Sequence, residues 1–167
     1  MRNYITLFFF LLFAVGCTSS SVYQSGGGAG TVQGISAINV EMSEKMHPES
    51  REWYRQNAVS GALYQTIQKE LQKNGKWGTG SQTLHVSVTD FRVRSGSQVF
   101  WVGVMAGSDY VAAEVEARQG DTTVKKFAAG AKSLHSATSG LLTGKLTSRR
   151  RVETLCKSVA KNLVEQL

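Results

Sequence analysis

The sequence predicts an α+β domain: a mainly antiparallel sheet of about four strands with two helices packed on one face. Apolar and polar residues alternate, as in half-buried strands, in four stretches: residues 35–42, 84–93, 111–118 and 122–131. Apolar residues recur at helical spacing in two other stretches, residues 48–73 and 148–167. The 167 residues contain no internal repeat and suit a single domain.

The predicted strands differ in how clearly their ends are marked. The first is Ile35–Met42. The second begins near Leu84 and continues to Val93 with a change of phase, which predicts a β-bulge near Asp90. The last two strands flank Gln119-Gly120-Asp121, which is a turn signal, and they therefore predict a hairpin.

Both predicted helices have one apolar face. The first begins near Pro48, which a first helical turn tolerates, and ends near Lys73, just before the stop signal Asn74-Gly75. The second begins near Ser148. Its apolar face consists of Val152, Leu155, Cys156, Val159, Leu163 and Leu167.

The N-terminus has the three parts of a bacterial export signal. Met1-Arg2-Asn3 is basic, residues 4–15 are almost wholly apolar, and small residues precede Cys17. The apolar run is shorter than the roughly 20 residues of a membrane-spanning helix. Ala14-Val15-Gly16-Cys17 resembles the lipobox, in which the cysteine receives lipid and becomes the first residue of the mature chain. We therefore expect a lipid-anchored protein.

The lipobox match is incomplete, because Ala14 occupies a place usually taken by Leu or Val. Ordinary signal peptidase would cut at the same bond and release a free periplasmic protein instead. Thr18 follows the cysteine where Asp would favour inner-membrane retention, which resembles outer-membrane sorting. The expected parts are a signal peptide (1–16), a lipidated N-terminus with a flexible Ser/Gly-rich tether (17–34), and one periplasmic domain (35–167).

Charge and cysteine content limit the expected partners. The formal net charge of +7 suits work near anionic lipid, lipopolysaccharide or cell-wall polymer, although a basic surplus also serves solubility. Export separates the chain from nucleic acid, so no nucleic-acid partner is expected. Of the two cysteines, Cys17 is expected to carry lipid and Cys156 to be a small core residue, so no disulfide is predicted.

No motif predicts catalysis, a metal or a cofactor. His47, His85 and His135 lack the spacing of metal ligands. Asp90 and Asp109 could in principle share acid–base work, but hydrogen bonds at turns and strand ends are the more ordinary role for such residues. The chain is therefore expected not to be an enzyme.

One candidate contact site is the segment 97–107, the most apolar part of the chain after the signal. As an exposed loop it would contact lipid or a partner protein, because exposed apolar patches usually mark such contacts. A buried strand or packed hairpin tip would explain the same composition. The residues proposed for the contact are Phe100, Trp101, Val102 and Met105.

A second candidate site is Arg149-Arg150-Arg151, with Lys145 shortly before it. The three arginines begin a predicted helix, where the positive end of the macrodipole disfavours cations. A bound anion would offset that cost, since helix N-terminal amides and guanidiniums both bind phosphate. A solvated run of charges is the alternative.

Over roughly Gly34–Leu167, the chain resembles the bacterial lipoprotein family known as domain of unknown function 4410. The resemblance rests on Leu84-His85-Val86-Ser87-Val88-Thr89-Asp90-Phe91-Arg92-Val93-Arg94-Ser95-Gly96, on Phe100-Trp101-Val102-Gly103 and on Ala106-Gly107-Ser108-Asp109-Tyr110. It implies a periplasmic lipoprotein domain of α/β composition, and it carries no known activity or catalytic residue.

These features together predict a non-enzymatic outer-membrane lipoprotein whose periplasmic domain binds a protein partner or an anionic envelope component. Two alternatives remain. The first is a structural or assembly subunit of an envelope oligomer, with the apolar segment packed between copies. The second is an enzyme acting on an envelope polymer, which a deep pocket around Asp90, Asp109 or His85 would favour.

Overall fold

The computed structural model describes residues 18–19, 22–23, 30–32, 34–78, 80–94, 108–133 and 148–167. Its elements, in chain order, are β1 (Thr18–Ser19), β2 (Val22–Tyr23), β3 (Ile35–Met42), α1 (Pro48–Gln56), α2 (Val59–Lys73), β4 (Gln82–Arg92), β5 (Asp109–Gln119), β6 (Thr122–Ser133) and α3 (Ser148–Gln166). The predicted α+β class is confirmed.

The four long strands form one sheet in the order β6-β5-β4-β3, and the short strands β1 and β2 pair with the outer side of β6. The β4–β5 and β5–β6 pairs are antiparallel, but β3 and β4 are parallel. The sheet is therefore mixed and not antiparallel throughout. The reason is that the helices between β3 and β4 return the chain to the end where β3 began, so both strands run the same way.

The helix predicted from Pro48 to Lys73 is two helices, so the described chain has three helices and not two. The break lies at Asn57 and Ala58, and Ala58 adopts a left-handed backbone conformation with φ 48°. A residue in that conformation cannot continue a right-handed helix. The break lets α1 pack against β4 while α2 packs along β3 and α3.

The hydrophobic core lies between the helices and one face of the sheet. Buried and half-exposed residues alternate along β4 and β5, as the sequence predicts for strands covered on one side. The predicted bulge is confirmed, because the β4–β5 register shifts between Val88 and Asp90. The shift keeps Phe91 in the core, where its ring meets Tyr54 of α1 edge-on at a centroid distance of 6.2 Å.

We call one end of the sheet the loop end, because the residues on either side of the two long connections, 95–107 and 134–147, lie there. We call these flanking residues the stems of the connections. At this end β4 leads into residues 95–107, β5 begins, β6 ends and α3 starts. Thr18 pairs with Ser133, so β1 also lies at the loop end. The segment predicted as a flexible tether thus contains two short strands along β6, and its division from the domain at residue 34 stays a prediction.

Candidate functional site at the loop end

The loop end is built around a buried ion cluster of Arg94, Asp109 and Arg151. The Asp109 Oδ1 atom accepts hydrogen bonds from the backbone N–H of Arg94 at 3.0 Å and from its Nε at 3.1 Å. The Asp109 Oδ2 atom accepts a hydrogen bond from Arg151 Nη1 at 3.1 Å. Arg151 Nη2 also donates to the Arg94 carbonyl. All three side chains are at most 4% exposed.

The cluster ties together the stems of both connections. Arg94 precedes residues 95–107 and Asp109 follows them, while Arg151 lies one turn into α3, after residues 134–147. Both guanidiniums pair with the one carboxylate of Asp109. Arg151 Nε is buried and has no hydrogen-bond partner among the described residues.

The structure separates the three arginines that the sequence places in one run. Arg149 and Arg150 are exposed, whereas Arg151 is buried against Asp109. Of the residues predicted to bind an anion, Arg151 thus already pairs with a carboxylate of the chain itself, while anion binding by Arg149 and Arg150 stays a prediction. The burial of Arg151 could have been predicted from the sequence. Arg151 lies four residues before Leu155, and helical spacing therefore puts it on the apolar face of α3.

Most of the other predicted site residues lie outside the described part of the chain. These are Cys17, Phe100, Trp101, Val102, Met105 and Lys145. Their roles in lipidation, apolar contact and anion binding stay predictions. Within the described ranges, no helix is both long and apolar enough to cross a bilayer, and no group of three or more His, Cys, Asp or Glu side chains could hold a metal ion.

Two further exposed cations lie at the loop end, and neither was predicted from the sequence as a site residue. The strand register places Arg92 of β4 opposite Tyr110 of β5, and Tyr110 opposite Lys132 of β6. Arg92 and Lys132 are both exposed on the sheet face away from the helices. Only strand pairing brings these cations to the same end as Arg149 and Arg150.

Asp90 lines an open groove of about 450 Å³ between α1 and the loop end. Its carboxylate accepts hydrogen bonds from Ser50 Oγ at 2.7 Å, from the Phe91 N–H at 2.8 Å and from the Tyr110 hydroxyl at 2.9 Å. Burial, together with the hydrogen bond to Asp90, raises the pKa of Tyr110. The carboxylate thus links α1, the bulge and β5.

The two aspartates considered for acid–base work occupy different environments. Asp109 is fully buried and neutralised by arginines, so a substrate cannot reach it. Asp90 faces the groove with three hydrogen bonds already made. The two do not form a shared site, and the expectation that the chain is not an enzyme stays a prediction.

His85 lies far from the ion cluster, on the polar face of the sheet, beside a second groove of about 470 Å³. Glu116 is its neighbour across the strand pair. Hydrogen bonds from Lys126 and Arg118 lower the pKa of Glu116. The carboxylates of this face are thus partly neutralised by neighbouring cations.

Cys156 is a buried free thiol in α3, as the sequence predicts for a core residue. Burial raises its pKa to about 12. The thiol is therefore protonated at neutral pH and unsuited to nucleophilic chemistry.

No family model matches the sequence, and no curated protein matches it. Solved structures do match this chain. A single-residue variant of the PelC dodecamer from Paraburkholderia phytofirmans has a TM-score of 0.46 at 13% identity, with 87% of this chain and 97% of that chain covered. A second PelC dodecamer structure has a TM-score of 0.45 at 13% identity, covering 86% and 96%.

The protein XCC0632 from Xanthomonas campestris, described as a DUF330 protein, has a TM-score of 0.50 at 10% identity. The match covers 87% of this chain and 90% of that chain. At this level of identity the similarity concerns the fold alone. The resemblance to domain of unknown function 4410 stays an expectation.

Proposed function

We propose that the chain is a lipid-anchored outer-membrane protein whose periplasmic domain binds an anionic envelope component through its loop end, without catalysis. The observation that carries the proposal is the pairing of Thr18 with Ser133. This pairing brings the residue after Cys17 to the end of the sheet where exposed cations collect.

The anchor argument follows from chain geometry. Consecutive Cα atoms lie about 3.8 Å apart, so a lipid on Cys17 would start within one residue of the loop end. With β1 paired to β6, little free chain separates the lipid from the domain. The loop end would then be the part of the domain closest to the membrane.

The charges at the loop end suit that position. Arg149 and Arg150 are exposed in the first turn of α3, where the backbone N–H groups and the helix dipole also favour an anion. Lys132 and Arg92 add two exposed cations at the same end, on the other face of the sheet. Each such cation is worth about 1 kcal/mol close to an anionic membrane surface.

The apolar segment supplies a second proposed contact. Its stem residues, Arg94 and Ser108, are both buried at the loop end. Phe100, Trp101, Val102 and Met105 lie between these two stem residues in the sequence, and we propose that they make this contact. A protein partner in the envelope could use the same end, and the vesicle experiment below separates the two cases.

Binding to vesicles tests the anionic contact. The domain without its lipid would be titrated with vesicles of phosphatidylcholine alone and of phosphatidylcholine with phosphatidylglycerol. Replacing Arg149→Ser and Arg150→Ser together should weaken binding to the anionic vesicles by about 2 kcal/mol, or roughly 30-fold. Binding to phosphatidylcholine alone should be weak for both proteins.

The matched control is the pair Lys157→Ser and Lys161→Ser. It removes the same charge from exposed positions on the same helix, farther from the loop end. If the control weakens binding as much as the arginine pair, net charge and not the loop end explains it. If neither pair matters, the anionic-lipid contact is wrong and a protein partner becomes the better candidate.

The lipid itself is tested by the intact mass of the mature protein. A mass above that of the bare chain from Cys17 by a diacylglycerol and an acyl group supports the anchor. A mass equal to the bare chain would mean a free periplasmic protein and would remove the basis for a membrane-facing loop end.

A further inference from the structure

The sheet has one open edge, formed by β3. Among the described strands β3 is the last in the sheet order and pairs with β4 alone, whereas the opposite edge, β6, is covered in part by β1 and β2. Open strand edges expose unpaired N–H and C=O groups and pair readily with another strand.

One hydrogen bond shows which backbone N–H and C=O groups of β3 point towards β4 and which point away from it. The Ser43 N–H donates to the Val88 carbonyl at 2.9 Å, so the backbone groups of Ser43 point towards β4. In a strand the two sides alternate residue by residue, which turns the backbone groups of Ile38, Val40 and Met42 away from β4. At the start of β3, the outward groups of Ile35 bond to Lys76 and Gly78 instead.

The composition of β3 does little to prevent pairing. Its eight residues include neither Pro nor Lys, and Glu41 is its one charged residue. The register shift in its pairing lies at the first residues, between Ile35 and Ala37, which leaves the rest regular. Ile38, Val40 and Met42 are only partly buried.

The proposed anchor limits which second strand could reach this edge, and the inference rests on that proposed function. If two copies paired β3 with β3 antiparallel, their loop ends would point in opposite directions. The two lipids could not then enter one membrane. Copies anchored in one membrane stand in the same direction, so β3 of one copy must meet a different edge of the next.

We propose that β3 of one copy pairs with the outer side of β1 and β2 of a neighbouring copy. β1 and β2 run opposite to β6, and β6, β4 and β3 all run towards the loop end. For copies standing in the same direction, β3 and the neighbour's N-terminal strands are therefore antiparallel. The contact is head-to-tail, and repeated about an axis normal to the membrane it closes into a ring.

The strand registers give the expected contact. One row across the sheet joins Glu41 of β3 to Ser87, Glu114, Ala128 and Tyr23 of β2. Tyr23 and Glu41 thus lie at the same height on opposite edges. If neighbouring copies are related by a rotation about the membrane normal, with no displacement along that axis, Tyr23 of one copy lies beside Glu41 of the next. Within one copy the two are four strand spacings apart, about 19 Å, which no disulfide spans.

Disulfide cross-linking in the full-length protein, in detergent and in anionic vesicles, tests the contact. Copies with Glu41→Cys and copies with Tyr23→Cys would be oxidised separately and as a mixture. The proposal expects cross-linked dimers only in the mixture, and a ladder of dimers, trimers and larger species when one chain carries both changes. Cys156 is buried and should not take part.

The control pairs Tyr23→Cys with Gln119→Cys, which is exposed at the opposite end of the sheet, and should give no product. Efficient cross-linking of Glu41→Cys copies alone would mean β3–β3 pairing and would overturn the head-to-tail contact. No ladder from the double variant would overturn the assembly itself. If no ladder forms but Arg149→Ser with Arg150→Ser still weakens binding to anionic vesicles, the assembly is wrong and the proposed function is unaffected. If a ladder forms but the two arginine changes do not weaken vesicle binding, only the proposed anionic contact is wrong.

Discussion

Replacing Asp109 by Asn should be the most destabilising single charge change in the described domain. Asn has nearly the same shape as Asp but no charge, and its amide group would place donors against the arginine donors. Arg94 and Arg151 would then both lose their ion pair with Asp109, although both side chains are at most 4% exposed. Breaking a buried ion pair by removing one partner costs about 3–5 kcal/mol. That is a large share of the roughly 5–15 kcal/mol that stabilises a typical domain.

Urea unfolding of the domain, followed by circular dichroism, measures this loss. Asp121→Asn is the control, because Asp121 is exposed in the β5–β6 turn and its change should stay within about 0.5 kcal/mol. Arg151→Met should cost less than Asp109→Asn, because it leaves the neutral pair of Arg94 and Asp109. If Asp109→Asn lowers the free energy of unfolding by under about 1 kcal/mol, or by less than Arg151→Met, the charge reasoning is refuted.

Two further predictions concern α2 and α3. Ala58→Gly should raise the free energy of unfolding by up to about 1 kcal/mol, because Gly adopts the left-handed conformation at φ 48° without the penalty of a Cβ atom. The greater entropy of Gly in the unfolded chain offsets part of this gain. A lower midpoint of urea unfolding would contradict the prediction. In a chain with Cys17→Ser, Cys156 should resist a thiol reagent at pH 8 until the domain unfolds, because the thiol is buried and burial raises its pKa to about 12. Rapid labelling of the folded protein would contradict this and would show that the core around α3 opens easily.

The sequence predicted the elements whose signals are local. The β5–β6 hairpin follows from its turn residues, and Gly120 has the positive φ of 58° that such a turn needs. The bulge near Asp90 could be read from the change of phase, because a shift of one residue exchanges the two faces of a strand. The last helix begins at Ser148 as predicted.

Two features were misjudged, for different reasons. The apolar stripe of α2 begins at Val59, and four and eight residues before it lie Arg55 and Arg51, whereas the buried residues of α1 are Ser50 and Tyr54. This change of phase is a local signal of the break at Ala58, and the prediction of one continuous helix overlooked it. The parallel pairing of β3 and β4 depends on where the crossover returns the chain, which periodicity does not encode. Of the candidate site, Arg149 and Arg150 could be found from the sequence as an exposed cationic pair.

By itself, the sequence determined the α+β class, the positions of the four long strands and the last helix along the chain, and the faces that become the core, because these follow from the local pattern of apolar side chains. Only the tertiary structure decided that Arg151 is buried against Asp109 and Arg94. It alone placed Lys132 and Arg92 at the loop end with the exposed arginines, and Thr18 beside Ser133. The physical reason is that ion pairs and strand pairs join residues far apart in the chain, and the partner of each becomes defined only when the sheet assembles.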